Sequence, residues 1–349
     1  MDGSLPATAT SQIIAGHRAT RIRRRQAVVA ALLLAVAALL ALSLMLGQSF
    51  TPPLDVVHVL LGHDVPGASF TVGDLRLPRA VLSILAGLSF GIAGSAFQVM
   101  LRNPLASPDI IGISSGASAA AVFAIVVLSL DGPLVSVFAV ISGLAIALLV
   151  YGLSFRNGVS GTRLILVGIG VSAMLESLIA YILARAPAWT LQEAMRWLTG
   201  SVNGASLDQA IPLLLGLVLF GGILLSRAGN LEAMRLGDDM AAALGVRVAR
   251  ERALLVVAAV AVISIATAVT GPIAFVAFLA GPIAARIPGI SGSILLPAAL
   301  TGAVLVLLGD YVGQFLLPAR YPVGVVTGAL GAPYLIYLII RANRGGAMS

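Results

Sequence analysis

The side chains able to do chemistry are few, and the missing types decide as much as those present. Cysteine is absent, so thiolate nucleophiles, thiolate metal sites and disulfides are excluded. His17, His58 and His63 are the three histidines. None lies in an apolar run, and scattered surface imidazoles explain them better than a metal site does. All 21 basic residues are arginine, whereas a phosphate-binding loop of the form G-x-x-x-x-G-K-S/T needs a lysine. If the protein's work consumes ATP, another chain must bind it. Glu176 is the ionisable residue that stands well inside an apolar run; a carboxylate there must face a cavity, find a partner or take a proton. No second acid or base stands at a spacing suited to general acid–base work, so Glu176 points to a path or a water-filled funnel rather than to catalysis.

Lipid-immersed helices must position these residues. Of 349 residues, 59% are hydrophobic and 10% charged, with a mean hydropathy of +1.05; a soluble domain carries about 25% charged residues. A helix needs about 20 apolar residues to cross a bilayer. Runs near that length fall at 27–46, 80–101, 110–130, 133–153, 164–184, 209–226, 253–270, 272–286, 293–310 and 321–340, the eighth short and interrupted by Gly281-Pro282. The expectation is an all-α polytopic membrane protein of about ten transmembrane helices over 27–341. A flexible basic tail at 1–26 precedes it and a short tail at 342–349 follows. The first run is longer than the about 7–15 residues of a signal-peptide core and reads as a retained helix.

Ten spans put both termini on one side. With that side cytoplasmic, only Arg76, Arg79, Arg185, Arg196 and Arg320 lie outside, in accord with the bias of arginine toward cytoplasmic segments. The pI of about 10.7 thus reflects topology rather than nucleic acid, whose binders cluster arginine on one solvated face. Gly87, Gly91, Gly94, Gly112, Gly116, Gly168 and Gly170 lie inside the runs, where small residues let helices approach closely.

Three connections are too distinctive to be mere turns. Residues 227–252 read as two short helices with a break at Gly245; Asp238 and Asp239 suit a helix start and Gly245 a helix stop. Such an element suits the docking of a soluble partner, or equally a loop lying on anionic headgroups. Residues 101–118 carry two prolines and a run of small residues, leaving unpaired backbone that a membrane tolerates only against protein or a water-filled cavity. That points to a translocation path. Residues 322–334 are glycine-rich at the start of the last run.

Five motifs stand in order: Leu75-Arg-Leu-Pro-Arg79, Asn103-Pro-Leu-Ala-Ser-Pro108, Leu236-Gly-Asp-Asp-Met-Ala-Ala-Ala-Leu-Gly-Val246, Gly271-Pro-Ile-Ala-Phe-Val276 and Pro322-Val-Gly-Val-Val-Thr327. Together they resemble the FecCD family, the permease subunits of ATP-binding-cassette importers for iron–siderophores, haem and cobalamin. Trp197-Leu-Thr-Gly-Ser-Val-Asn-Gly204 and Ala277-Phe-Leu-Ala-Gly-Pro-Ile-Ala-Ala-Arg286 look most like the ferric-enterobactin permease branch. The resemblance implies the type II importer permease fold, with ten helices, in the bacterial cytoplasmic membrane. It implies a second permease subunit, two ATPase subunits that carry ATP and Mg, and a periplasmic or lipoprotein-type siderophore-binding protein. The branch likeness favours a heterodimer and a catecholate chelate; the iron stays in its chelator, and this chain holds no metal or cofactor and binds no nucleic acid.

The resemblance also carries roles to particular residues. ATPase coupling falls on Gly237, Asp238, Asp239, Ala242, Leu244 and Gly245, which favours partner docking over the headgroup alternative. Binding-protein docking falls on Arg76 and Arg79; Gln314 stands where the family often has a further arginine, and Arg320 is nearby as a substitute. The cytoplasmic gate falls on Asn103, Leu105, Ser160 and Thr162, and residues 185–208 resemble the periplasmic gate and vestibule. The same motifs fit a cobalamin or haem importer. An ion-coupled secondary carrier should instead show several intramembrane carboxylates or broken half-helices, where this chain has Glu176.

Overall fold

The computed structural model describes residues 7–108, 112–154, 161–287 and 292–346, and every regular element among them is helical. Helix α1 is Ala7–Met45, and α2 is Pro53–Leu60. A π-helical stretch Ser69–Arg76 runs straight into α3, Leu77–Met100. Then come α4 Ile113–Val126, α5 Gly132–Ser154, α6 Gly161–Leu183 and α7 Ala188–Leu198. Helix α8, Leu207–Gly216, continues through a π-helical turn into α9, Gly222–Ser226. Two short helices follow, α10 Ala228–Arg235 and α11 Asp238–Ala243, before α12 Val248–Thr270. The chain closes with α13 Val276–Arg286, α14 Leu295–Tyr311 and α15 Val323–Gly346.

Seven helical rods are long and apolar enough to cross a membrane, and three shorter apolar helices, Ile113–Val126, Val276–Arg286 and Val323–Leu338, complete the set. Each expected run therefore has its helix. The reason is elementary: in hydrocarbon the backbone must satisfy its own hydrogen bonds, and the α-helix does so within one segment.

Local boundaries differ from expectation in three places. The basic segment expected as a flexible tail is helical from Ala7 and continuous with the first span, because arginine and alanine both favour helix. The eighth run is not broken at Gly281-Pro282, which lies inside α13. It is shortened at its start, where Gly271 (φ +70°) and the left-handed Phe275 (φ +64°) turn the chain before Val276. The two short helices are separated at Gly237 rather than Gly245; Gly245 stops the second of them, as a positive-φ glycine (+87°) does well.

Helix α3 is the axis of the packing. Of the most apolar 18 residues in Ser69–Met100, 83% are buried inside the protein, against 6% in the first span. Its glycines allow this. Gly87 lies against Gly302 and Ala303 of α14, Gly91 against Ala298 and Ala299, and Gly94 against Ala277 of α13, each with no room for a Cβ. Small residues bring backbones close where lipid supplies no hydrophobic drive between helices. Phe90, Phe97, Leu82 and Ile92 fill the spaces to either side. Leu34, Leu148, Leu166 and Val218 stand exposed on the outer helices, apolar surface that the chain does not itself cover.

Candidate functional site

Helix α3 spans 24 residues, about 36 Å at 1.5 Å per residue, so its two ends lie beyond opposite faces of a hydrocarbon core about 30 Å thick. The sequence motifs gather at these two ends.

At the first end, Arg79 and Asp310 of α14 form a two-pronged ion pair. Arg79 Nε donates to Oδ2 at 2.6 Å and Nη2 to Oδ1 at 2.7 Å. Arg76 points instead at the linker after α1, donating through Nη1 to the Leu44 carbonyl at 2.8 Å and through Nη2 to the Ser49 carbonyl at 2.7 Å. These acceptors are neutral, so Arg76 keeps its net charge. Both arginines line a cavity of about 270 Å³ with Asp310, Tyr311, Gln314 and Arg320. The three arginines expected to dock a partner are thus brought together, but they are not equivalent: Arg79 is taken up within the chain, while Arg320 is exposed. Gln314 is buried. Sequence reasoning missed Asp310, whose position four residues before Gln314, at the end of an apolar run, was the available signal.

Three motifs meet beside this mouth. Ser201 N–H donates to the Thr270 carbonyl at 2.7 Å, and Gly324 N–H to the Gly200 carbonyl at 3.1 Å. Gly200 and Gly271 pack face to face with no space for a side chain. The segment after α7 is thereby tied to the end of α12 and the start of α15.

At the second end, Asp238 opens α11 and accepts from Arg252 Nη2 at 2.9 and 3.0 Å. Arg102, left-handed at φ +51°, approaches the same carboxylate at 3.8 Å. Gly237 at φ +111° and ψ 157° occupies a region open essentially to glycine alone. Ala241 is buried beneath α11, while Met240 and Leu244, one turn apart on it, are exposed; Leu236, also exposed, caps the end of α10 before the Gly237 break. Asp239, Ala242 and Gly245 are exposed as well. Met240 was not singled out from the sequence, although its spacing with Leu244 was there to be read.

The Asn-Pro-Leu turn lies at this end too. Asn103 Oδ1 accepts from Leu105 N–H at 2.9 Å, and Leu105 packs in a cluster with Phe278, Leu279 and Leu338. Gln98, Arg102, Asn103, Arg235 and Pro282 line a cavity of about 360 Å³. Of the other two expected gate residues, Ser160 lies outside the described residues and Thr162 is the second residue of α6.

Glu176 is exposed on α6. It lines a third cavity, about 330 Å³, with Ser114, Ser115 and Ser118 of α4 and Leu198 at the end of α7. His58 and His63, expected to be scattered, pack edge to face with ring centres 5.9 Å apart. Among the described residues no three of His, Asp and Glu approach closely enough to hold a metal ion. What the arrangement supplies is two polar ends joined by α3 and an open cavity lined by Glu176 and three serines.

The model of the FecCD transport family matches residues 32–341. The achromobactin transport system permease protein CbrC of Dickeya dadantii (strain 3937) is 41% identical over 313 residues, covering 88% of this chain and 90% of that protein. The ferric enterobactin transport system permease protein FepG of Escherichia coli (strain K12) is 38% identical over 294 residues, covering 83% and 88%. A solved chain, described as an inward-facing conformation of a metal-chelate type ABC transporter, superposes with a TM-score of 0.78 at 25% identity, covering 90% of this chain and 99% of that one.

Proposed function

Because this chain belongs to the FecCD transport family, we propose that it is the permease subunit of an ATP-driven importer carrying an iron(III)–siderophore across the bacterial cytoplasmic membrane. It pairs with a second, non-identical permease subunit around a central path. Two ATPase chains, which hold the ATP and Mg, bear on residues 237–245, and a binding protein delivers cargo to the end that carries Arg76. Both termini face the cytoplasm. The iron stays in its chelator, and this chain needs no metal or cofactor of its own. The relatives are named for different chelates, so a catecholate cargo rests on the branch likeness alone.

One observation carries this reading: the exposed apolar pair Met240 and Leu244 on α11 beside the Asp238–Arg252 pin. A short helix with an exposed apolar face, fastened to α12 by Arg252 and reached by Arg102 beside the Asn-Pro-Leu turn, converts a partner's closure into helix displacement without ATP touching this chain. Arg76 and Arg320 meet acidic groups of the binding protein through charge-assisted bonds, and Arg79 braces the mouth. Asn103 and Leu105, with Ser160 and Thr162, form the inner gate; residues 185–208 form the outer gate and vestibule; Glu176 lies on the path wall.

The test is uptake of radioactive iron chelates into proteoliposomes holding the full complex. Accumulation that requires both ATP and the ATPase chains is expected. Uptake that persists without the ATPase chains would make the protein a secondary carrier, and uptake of haem or cobalamin but of no iron chelate would move it to that branch.

A further inference from the structure

Glu176 lies about 22 Å along α6 from Gly161 and, among the described residues, makes no hydrogen bond or ion pair. No arginine on its helix can neutralise it. Arg163 is about 20 Å away along the axis. Arg185 sits over the Tyr181 ring, 4.6 Å from its centre, and Tyr181 lies about 140° round the helix from Glu176. A bare carboxylate in hydrocarbon costs several kcal/mol, so this face of α6 is not offered to lipid. Three serines of α4 line the same cavity. One turn along α6, outside the cavity lining, Ser172 is buried at 9% exposure with a hydroxyl that has no partner. That hydroxyl lies beside Gly112, where α4 begins without a side-chain cap.

Resting on the importer reading above, we propose that Glu176, with Ser114, Ser115 and Ser118, is a subsite that selects the cargo by charge. The chelate it admits presents a cationic or hydrogen-bond-donating group, such as an ammonium, at this level of the path. A trianionic chelate is repelled there, which sets this proposal against the tris-catecholate cargo that the branch likeness favours. The cavity offers a carboxylate and neutral hydroxyls on an open face, and where the second permease subunit closes that face a carboxylate discriminates between ligand charges more strongly than it would in water.

The complete importer in proteoliposomes tests this with four probes. They are an iron(III) tris-hydroxamate bearing a free ammonium, its N-acetylated neutral form, an iron(III) tris-catecholate and an iron(III) carboxylate chelate. The wild type is expected to prefer the ammonium form to the acetylated one. Glu176→Gln should reduce that preference about tenfold, and Glu176→Asp should preserve it. Dividing the wild-type preference by that of Glu176→Gln, measured with the same binding protein, cancels the binding protein's own selectivity. A preference unchanged in Glu176→Gln overturns the proposal, as does wild-type uptake of the anionic chelates alone. Loss of the assembled complex in Glu176→Gln also overturns it, by placing Glu176 against the second subunit. ATP-dependent uptake of none of the four would count against the iron-chelate reading itself rather than against this subsite.

Discussion

Arg79 and Asp310, 231 positions apart in the chain, close a two-pronged ion pair between α3 and α14 with side-chain exposures of only 19% and 12%. Removing one member of such a pair strands the other's charge and costs about 3–5 kcal/mol, whereas removing both costs less. Arg79→Ala and Asp310→Ala should therefore each lower the thermal midpoint of the purified protein. The double variant should be more stable than the sum of the two losses. Strictly additive losses in a double-mutant cycle would show that the two side chains do not brace each other.

The contact of Gly87 with Gly302 leaves no space for a side chain on either helix. Gly302→Val forces α3 and α14 apart, and overpacking of this kind costs about 1–3 kcal/mol. A clear fall in thermal midpoint, and a lower yield of assembled complex, are expected. Gly152→Ala, at a position with open space around it, should leave both readouts near wild type and serves as the control.

The Asp238 side chain is 44% exposed, and half-exposed pairs contribute at most about 1 kcal/mol. Asp238→Ala should hardly move the thermal midpoint. It should instead lower ATP-dependent uptake several-fold, because the exposed apolar face of α11 loses its attachment to Arg252 and Arg102. Gly237→Ala places a Cβ where the backbone conformation costs about 1–3 kcal/mol, and weaker recovery of the ATPase chains in pull-downs is the expected readout. Full uptake by both variants would remove this segment from the power stroke.

The absence of cysteine makes topology directly measurable with single-cysteine variants. Asp64→Cys, at the Arg76 end, should react with a membrane-impermeant maleimide in intact spheroplasts. Asp239→Cys on α11 should react only after the membrane is opened. The opposite pattern would turn the molecule over and end the coupling assignment.

The positions and number of the apolar helices were legible in the sequence, because a bilayer imposes a length on each span and lipid demands that every backbone group be satisfied within it. The start of α11 at Asp238 and its stop near Gly245 were legible as well, since caps are local. Local patterning failed at Gly281-Pro282, which looks like a break and is not one. Packing against Gln98, whose amide donates to the Phe278 carbonyl at 2.9 Å, holds that turn of α13 in place.

Long-range pairing was beyond the sequence's reach. Arg79 reads alone as a free docking charge, and only the fold brings Asp310 to it. Ser201 and Thr270, or Gly87 and Gly302, likewise become neighbours through helices far apart in the chain. Apolar periodicity places a helix in the membrane but does not choose its partners. Small residues that touch backbone, and charges that need a counter-charge, make that choice in three dimensions.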